Sequence, residues 1–270
     1  MAVIASRHNP LVARCRRLGR GRSPADRGWL LEGWRLLADA LAAGVRLEVI
    51  AVSTDLPVAP GHDALVQQAR AHGARLASVS PMVLDAMSPV REPSGVLAIA
   101  RPREWQLTDC LRPAPAFIVV ACDVQDPGNV GAIVRAADAA SATGVIAGGS
   151  TADPGSWKAL RGAMGSAFRL PVVTAPDLPH TLAALAVRGI VVLATTARDG
   201  RAVYDTDLRR PVACLLGAEG PGLDASLVAA ADETITIPMR AGVESLNVAT
   251  AAAVIAYEAW RQRRADQPRF

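Results

Sequence analysis

The chain has 270 residues, 51 % of them hydrophobic and 20 % charged, with a formal net charge of +4. Those values fit one large or two small folded domains and exclude a disordered chain. Aromatic residues make up only 4 %, which argues against a single-strand binder built on rows of stacked rings.

Charge is uneven along the chain. Residues 1–27 hold seven arginines (Arg7, Arg14, Arg16, Arg17, Arg20, Arg22, Arg27) against one acid, Asp26, a local charge of +6 on a near-neutral remainder. Such an arm points to a polyanionic partner, most simply nucleic acid. The plain alternatives are a solvated basic helix face or an Arg-rich targeting peptide. Asn9-Pro10 reads as an N-cap followed by a first-turn proline, and Leu11, Cys15 and Leu18 repeat at helical spacing. The arm is therefore expected to be a folded helix with its arginines outside.

A helix over 29–43, a strand over 47–52, a helix over 63–71 and strand-like stretches at 75–79 and 95–100 complete a small mixed α/β unit. Prolines recurring from Pro89 to Pro115 place the boundary next. The expected organisation is a first domain over 1–104, a linker over 105–116 and a second domain over 117–270. The second half alternates more regularly. Strands are expected at 117–122, 144–147, 171–174, 190–195, 212–216 and 235–237, with helices over 129–140 and 157–168. A last helix follows, in which Val248, Ala252, Ile255 and Ala259 mark one face. Such alternation predicts a parallel sheet covered on both faces, with its ligand crevice at the carboxyl ends of the strands.

Three loops of this half are rich in special residues. In the first, Asn129 is placed to cap a helix on which Gly131 and Arg135 share one face. A plain cap and a surface ion pair would explain the same residues. The second, Leu216-Gly-Ala-Glu-Gly-Pro-Gly222, fits neither the dinucleotide fingerprint nor the P-loop. Pro221 removes a backbone donor and Glu219 opposes an anion, so the loop suits a cationic or neutral ligand, or is a tight structural turn. In the third, Ser245 or Asn247 could cap the last helix, leaving the other as an inward-facing site group.

Other chemistries lack their residues. His8, His62, His72 and His180 lie outside the three loops, which argues against a His-based triad or a His-ligated metal. Cys15, Cys110, Cys122 and Cys214 show neither zinc nor disulfide spacing, as expected for a reducing compartment. The longest apolar runs are broken by Arg188, Asn247 or Glu258, and the start lacks a secretory apolar region. A soluble, cytoplasmic protein is expected, whose chemistry needs little beyond positioning and local charge.

Taken together, the loops resemble the three motifs of the SpoU (TrmH-like) RNA ribose methyltransferases of the SPOUT superfamily. Asn129, Gly131 and Arg135 resemble N-x-G-x-x-x-R. Gly217, Glu219, Gly220 and Gly222 resemble G-x-E-G-x-G. Ile237-Pro238-Met239 with Ser245-Leu246-Asn247-Val248 resembles the third motif. Lys158-x-x-Arg161 and Met164-Gly165-Ser166 look like the family's connecting segment. Asn9-Pro10-Leu11-Val12 and Leu31-Glu32-Gly33 look like the start of its ribosomal-protein-like substrate-binding domain.

The resemblance implies an α/β, parallel-sheet catalytic domain with a carboxyl-terminal trefoil knot, preceded by a small mixed α/β RNA-binding domain. It implies a homodimer with active sites near the interface and S-adenosylmethionine as cofactor, held by Gly217, Ile237 and Leu246, with Thr196 a further candidate. The implied reaction is methylation of an RNA ribose 2′-hydroxyl without a metal. Arg135 would act on the ribose, with Asn129, Glu219, Ser245 and Asn247 orienting Arg135 and the sugar. The seven arm arginines would supply RNA contacts. A substrate domain favours ribosomal RNA over transfer RNA, and the rival of another class is a non-catalytic RNA-binding or ribosome-assembly factor.

Overall fold

The computed structural model describes residues 3–23, 25–55 and 61–264. The chain forms two compact units: Met1–Glu104 with Gly155–Phe168, and Trp105–Pro154 with Arg169–Phe270.

The first unit contains α1 (Pro10–Arg20), β1 (Trp29–Glu32), α2 (Trp34–Ala42), β2 (Leu47–Ser53), α3 (His62–Ala71), β3 (Arg75–Val79), α4 (Pro81–Met87) and β4 (Val96–Ala100). Helix α1 begins as its sequence predicts: the Asn9 side chain accepts from the Leu11 N–H at 2.9 Å and Pro10 follows. Leu11, Val12, Cys15 and Leu18 are buried, and they pack with Leu30, Val49 and Ile99 in one core. The four strands lie in the order β1-β4-β2-β3, with β4 antiparallel to both neighbours and β2 parallel to β3.

The single helix expected over 29–43 is instead a strand and a helix. Gly33 separates them at φ +101°, a conformation glycine adopts without cost. Trp29, Leu30 and Leu31 are all buried because β1 is paired along β4. A run buried on successive residues carries no periodicity to tell strand from helix. Helix α4 was not expected, although Ser80-Pro81 repeats the sequence signature that opens α1.

The chain continues through β5 (Phe117–Cys122), α5 (Pro127–Ala139), β6 (Gly144–Gly148), α6 (Trp157–Ala163), β7 (Val172–Ala175), α7 (Leu178–Ala186) and β8 (Val191–Thr195). It ends with β9 (Arg201–Ala202), β10 (Val212–Leu216), α8 (Ala225–Ala229), β11 (Glu233–Thr236) and α9 (Val248–Arg264). The strands of the second unit form one sheet in the order β7-β6-β5-β10-β8-β11-β9, every pairing parallel. The parallel sheet read from the alternation is present, and β5, β6 and β10 are buried along their whole length.

The helix expected over 157–168 stops at Ala163. Met164 and Gly165 take φ +47° and +83°, and a 3-10 turn over Ser166–Phe168 follows. This segment belongs to the first unit, where Trp157 packs on the α1 core and the Phe168 ring lies 5.5 Å from that of Trp29. Helix α9 buries Val248, Ala252, Ile255 and Ala259, as its spacing predicts. Near its end, the Arg263 guanidinium donates to the carbonyls of Pro115, Ala116, Leu208 and Arg210 at 2.6–3.0 Å. Its burial lowers the arginine's proton affinity from the ordinary value.

No helix among the described residues is long and apolar enough to cross a membrane. All four cysteines are free and buried, and burial pushes each thiol up to about 12.

Candidate functional site

The carboxyl ends of β8, β10 and β11 open into a cleft of about 540 Å³ whose walls are the segments 195–197, 216–223, 235–237 and 245–248, with Val228, Met239, Ala251 and Ile255. A crevice at strand carboxyl ends is where an open parallel sheet places a ligand. Thr196, Gly217, Ile237 and Leu246 all line it, as do Glu219, Ser245 and Asn247.

The walls are shaped by the backbone. The Thr196 N–H donates to the Ile235 carbonyl at 2.9 Å, tying the end of β8 to β11. Ala218 and Gly222 exchange N–H···O bonds of 3.1 and 3.0 Å, closing the glycine-rich turn. A β-carbon on Gly217 would stand 2.2 Å from the Gly222 carbonyl carbon and 2.3 Å from the Leu223 nitrogen, so only glycine fits. The loop is thus both a tight structural turn and a wall of the cleft.

Charge in the cleft is simple. None of its described lining residues is lysine, arginine or histidine, and Glu219 is the charged group among them. A lining that joins apolar residues with Thr195, Thr196, Thr236, Ser245 and Asn247, and whose charged group is a carboxylate, disfavours a phosphate and suits a ligand with a cationic centre.

Asn129 stands beside this carboxylate. The cap of α5 is Asp126 rather than Asn129: the Asp126 side chain accepts from the Gly128 N–H at 2.8 Å, and Pro127 fills the first position. Asn129 therefore lies inside the first turn with its amide free for other work, and it donates to the Glu219 carboxylate. Asn247 Nδ2 donates to Asn129 Oδ1 at 3.3 Å. Asn247 Oδ1 accepts from the Ala249 and Thr250 N–H groups at 3.0 and 3.3 Å, so Asn247 caps α9 while also joining this group. Ser245 is exposed and is not the cap.

Arg135 is not part of that arrangement. It is exposed on α5, does not line the cleft, and makes no hydrogen bond or ion pair with any described residue. Six residues along a helix turn its side chain about 240° from Asn129. The expectation that Asn129, Glu219, Ser245 and Asn247 orient Arg135 is therefore not met within one chain.

The arm also divides. Arg14 is engaged: Nε and Nη2 reach Asp26 at 2.8 and 3.0 Å, and Nη1 reaches Glu48 at 2.6 Å. The Arg14 guanidinium holds the Asp26 carboxyl below its ordinary value. Burial alone would raise Glu48, but its bonds to Arg14 and Arg101 outweigh that and lower it. Arg16 donates to the Ala86 carbonyl at 2.8 Å. Arg7, Arg17, Arg20 and Arg27 are exposed, and Arg22 is half-buried. Arg14 is thus a structural cation, because its place on α1 faces Asp26 of the loop between α1 and β1 and Glu48 of β2.

The sequence reading missed the apolar walls, among them Leu216, Ile235 and Ile255. These sit at strand ends or on a helix face, where a cleft wall and a core residue have the same signature.

Residues 116–257 match the SpoU rRNA Methylase family, and residues 9–98 match the MRM3-like substrate binding domain. An uncharacterized tRNA/rRNA methyltransferase of Synechocystis sp. is 33 % identical over 97 % of this chain and 95 % of its own length. The 23S rRNA (guanosine(2553)-2′-O)-methyltransferase RlmP of Bacillus subtilis is 32 % identical, covering 85 % of this chain and 87 % of its own. The crystal structure of an AdoMet-bound rRNA methyltransferase from Sinorhizobium meliloti superposes with a TM-score of 0.86 at 30 % identity, covering 96 % of this chain and 97 % of that one.

Proposed function

This chain belongs to the SpoU rRNA methylase family, and from that premise we propose that it transfers a methyl group from S-adenosylmethionine to a ribose 2′-hydroxyl of ribosomal RNA. The observation that carries the reading is the cleft itself, which holds one carboxylate and no cation among its described lining residues. That is the electrostatics a sulfonium requires and a phosphate-bearing nucleotide would oppose. Ribosomal rather than transfer RNA is favoured by the substrate named for the Bacillus relative and by the substrate-binding domain ahead of the catalytic one.

When bound, S-adenosylmethionine supplies a methyl group made electrophilic by its sulfonium. Thr196, Gly217, Ile237 and Leu246 hold it, and Glu219 supplies the negative charge that favours a cation in the cleft. Asn129, itself held by Asn247, fixes the Glu219 carboxylate, so this group is preorganised rather than mobile. Arg135 stays protonated and does not act as a base. As a permanent cation it holds the target phosphate and stabilises charge developing on the 2′-oxygen while the hydroxyl proton passes to solvent water. Its isolation from the cleft of its own chain supports a homodimer in which Arg135 of one copy serves the site of the other. The catalytic domain over 117–270 passes through a trefoil knot in its carboxyl-terminal part, as the family resemblance implies. The domain over 1–104 binds RNA through the arm, joined by the linker at 105–116, and the protein works in the cytoplasm.

Labelled methyl transfer from S-adenosylmethionine to unmodified ribosomal RNA and transfer RNA tests this. Label in ribosomal RNA that resists alkaline cleavage at one site is the expected result. Arg135→Ala should lower kcat about a hundredfold with cofactor binding unchanged, and Arg135→Lys should not restore it if the planar fork is used. Label only in transfer RNA overturns the substrate. No transfer and no cofactor binding favours a non-catalytic RNA-binding factor.

A further inference from the structure

Outside the cleft, a polar network of the second unit joins the loop after β5 to the loop after β6. Asp123 sits at its centre with φ +59°, a left-handed conformation that L residues other than asparagine and aspartate rarely adopt. Its Oδ1 accepts from both the N–H and the hydroxyl of Ser150, at 2.7 and 2.8 Å. Gln125 Nε2 donates to the Asp123 carbonyl and to the carbonyl and hydroxyl of Ser150, at 3.0–3.3 Å. Thr151 Oγ1 accepts from the Val124 N–H at 3.2 Å and shares its one proton between the carbonyls of Ala121 and Gly148, at 2.9 and 2.7 Å. On the facing loop Gly149 has φ +62°, and a β-carbon there would stand 2.4 Å from Asp123 Oδ1. The two loops are thus built around one carboxylate oxygen.

This clasp ends where the functional group begins. Asp126 caps α5 three residues after Asp123, and Asn129 follows in the first turn of the helix. The start of α5, and with it the reach of Asn129 toward Glu219 and Asn247, is therefore set by how the loop 123–126 is held. If only a left-handed turn were needed after β5, glycine would supply it without strain. Aspartate accepts the strain and spends its carboxylate on the neighbouring loop, and backbone outliers of this kind concentrate where geometry must be exact for function.

We propose that Asp123, through its bonds to Ser150, is a positioning residue for methyl transfer that sets the Asn129–Glu219–Asn247 group. The inference rests on the reading of that group as part of the reaction. Three substitutions separate the acceptor oxygen from the turn. Asp123→Asn keeps both the left-handed preference and an acceptor oxygen. Asp123→Gly keeps the turn and removes the acceptor, and Asn129→Ala removes the group being positioned.

Methyl-transfer kinetics, cofactor binding and thermal melting of the full-length protein are the readouts. Asp123→Gly should stay folded, bind S-adenosylmethionine within about twofold of wild type and lose kcat on the order of tenfold or more. Asp123→Asn should recover most of that kcat, to within about threefold. Wild-type kcat in Asp123→Gly beside a loss in Asn129→Ala overturns the positioning role. A loss in Asp123→Gly that Asp123→Asn does not recover assigns the effect to charge and also overturns it. Full kcat in Asn129→Ala overturns the reading of the Asn129 group and this inference with it. If Asp123→Gly does not fold, Ser150→Ala removes the hydroxyl donor to Asp123 while leaving the Ser150 N–H bond, and should lower kcat in the same direction by a smaller factor.

Discussion

The arginine face of the first unit and the cleft of the second treat charge in opposite ways. Arg7 before α1, Arg17 and Arg20 on it and Arg27 after it stand exposed, whereas Arg14 is held in ion pairs with Asp26 and Glu48. In the cleft, the described lining carries Glu219 and no cation. On the function proposed above, the difference divides two recognition problems between the two units. Holding an RNA backbone is a matter of many exposed cations, each replaceable and each screened by salt. Holding a compact cationic cofactor is a matter of shape and of keeping competing cations out.

Changing the cleft should give the largest effect. Gly217→Ala forces a β-carbon into the Gly222–Leu223 backbone, and overpacking of that kind costs roughly 1–3 kcal/mol, or about five- to 150-fold if it falls on cofactor affinity. Calorimetry should show that loss while RNA affinity stays near wild type, and equal losses of both would break the division drawn above. A smaller effect belongs to the arm. Arg17→Ala with Arg20→Ala should reduce the salt dependence of RNA binding by about one to two in log–log slope, with cofactor affinity unchanged. Deleting residues 1–27 is not an equivalent test, because Leu11, Val12, Cys15 and Leu18 belong to the core.

The smallest effect separates Arg14 from its neighbours. Its partners Asp26 and Glu48 are held below their ordinary values in the folded protein. Groups with depressed folded values stabilise fully above the unfolded carboxylate range and lose that contribution as pH falls through the folded values. Melting temperature should therefore drop with acid below about pH 4, and Arg14→Ala should flatten that limb without reducing the salt slope of RNA binding. A salt slope lowered as much as by Arg17→Ala would return Arg14 to the RNA-binding set.

Much of this was legible in the residues. Strand β5 and strand β10 lie at 117–122 and 212–216, as expected, because fully buried parallel strands are short apolar runs bounded by turn residues. The buried face of α9 follows directly from its spacing. The strand β1 was not legible, since Trp29-Leu30-Leu31 is apolar on successive residues and its partner β4 lies some seventy residues away in sequence. The Asn129 cap failed because Asp126 offers the same chemistry three residues earlier, directly before a proline. Two acceptable caps compete, and the one that leaves Asn129 able to reach Glu219 is chosen by tertiary contact.

By itself the sequence determined which residue types are present, where the arginines gather, the alternation that makes a parallel sheet, and the three loops whose motifs identify the family. These are local properties, set by spacing and side-chain chemistry. The tertiary structure decided what depends on partners distant in the chain: that Asn129, Glu219 and Asn247 form one group across 118 residues, and that residues 155–168 pack with the first unit. It also left Arg135 outside its own chain's cleft. Helical and strand periods report which face of an element is buried, but which elements meet is fixed by packing many long-range contacts at once, and no local pattern encodes that.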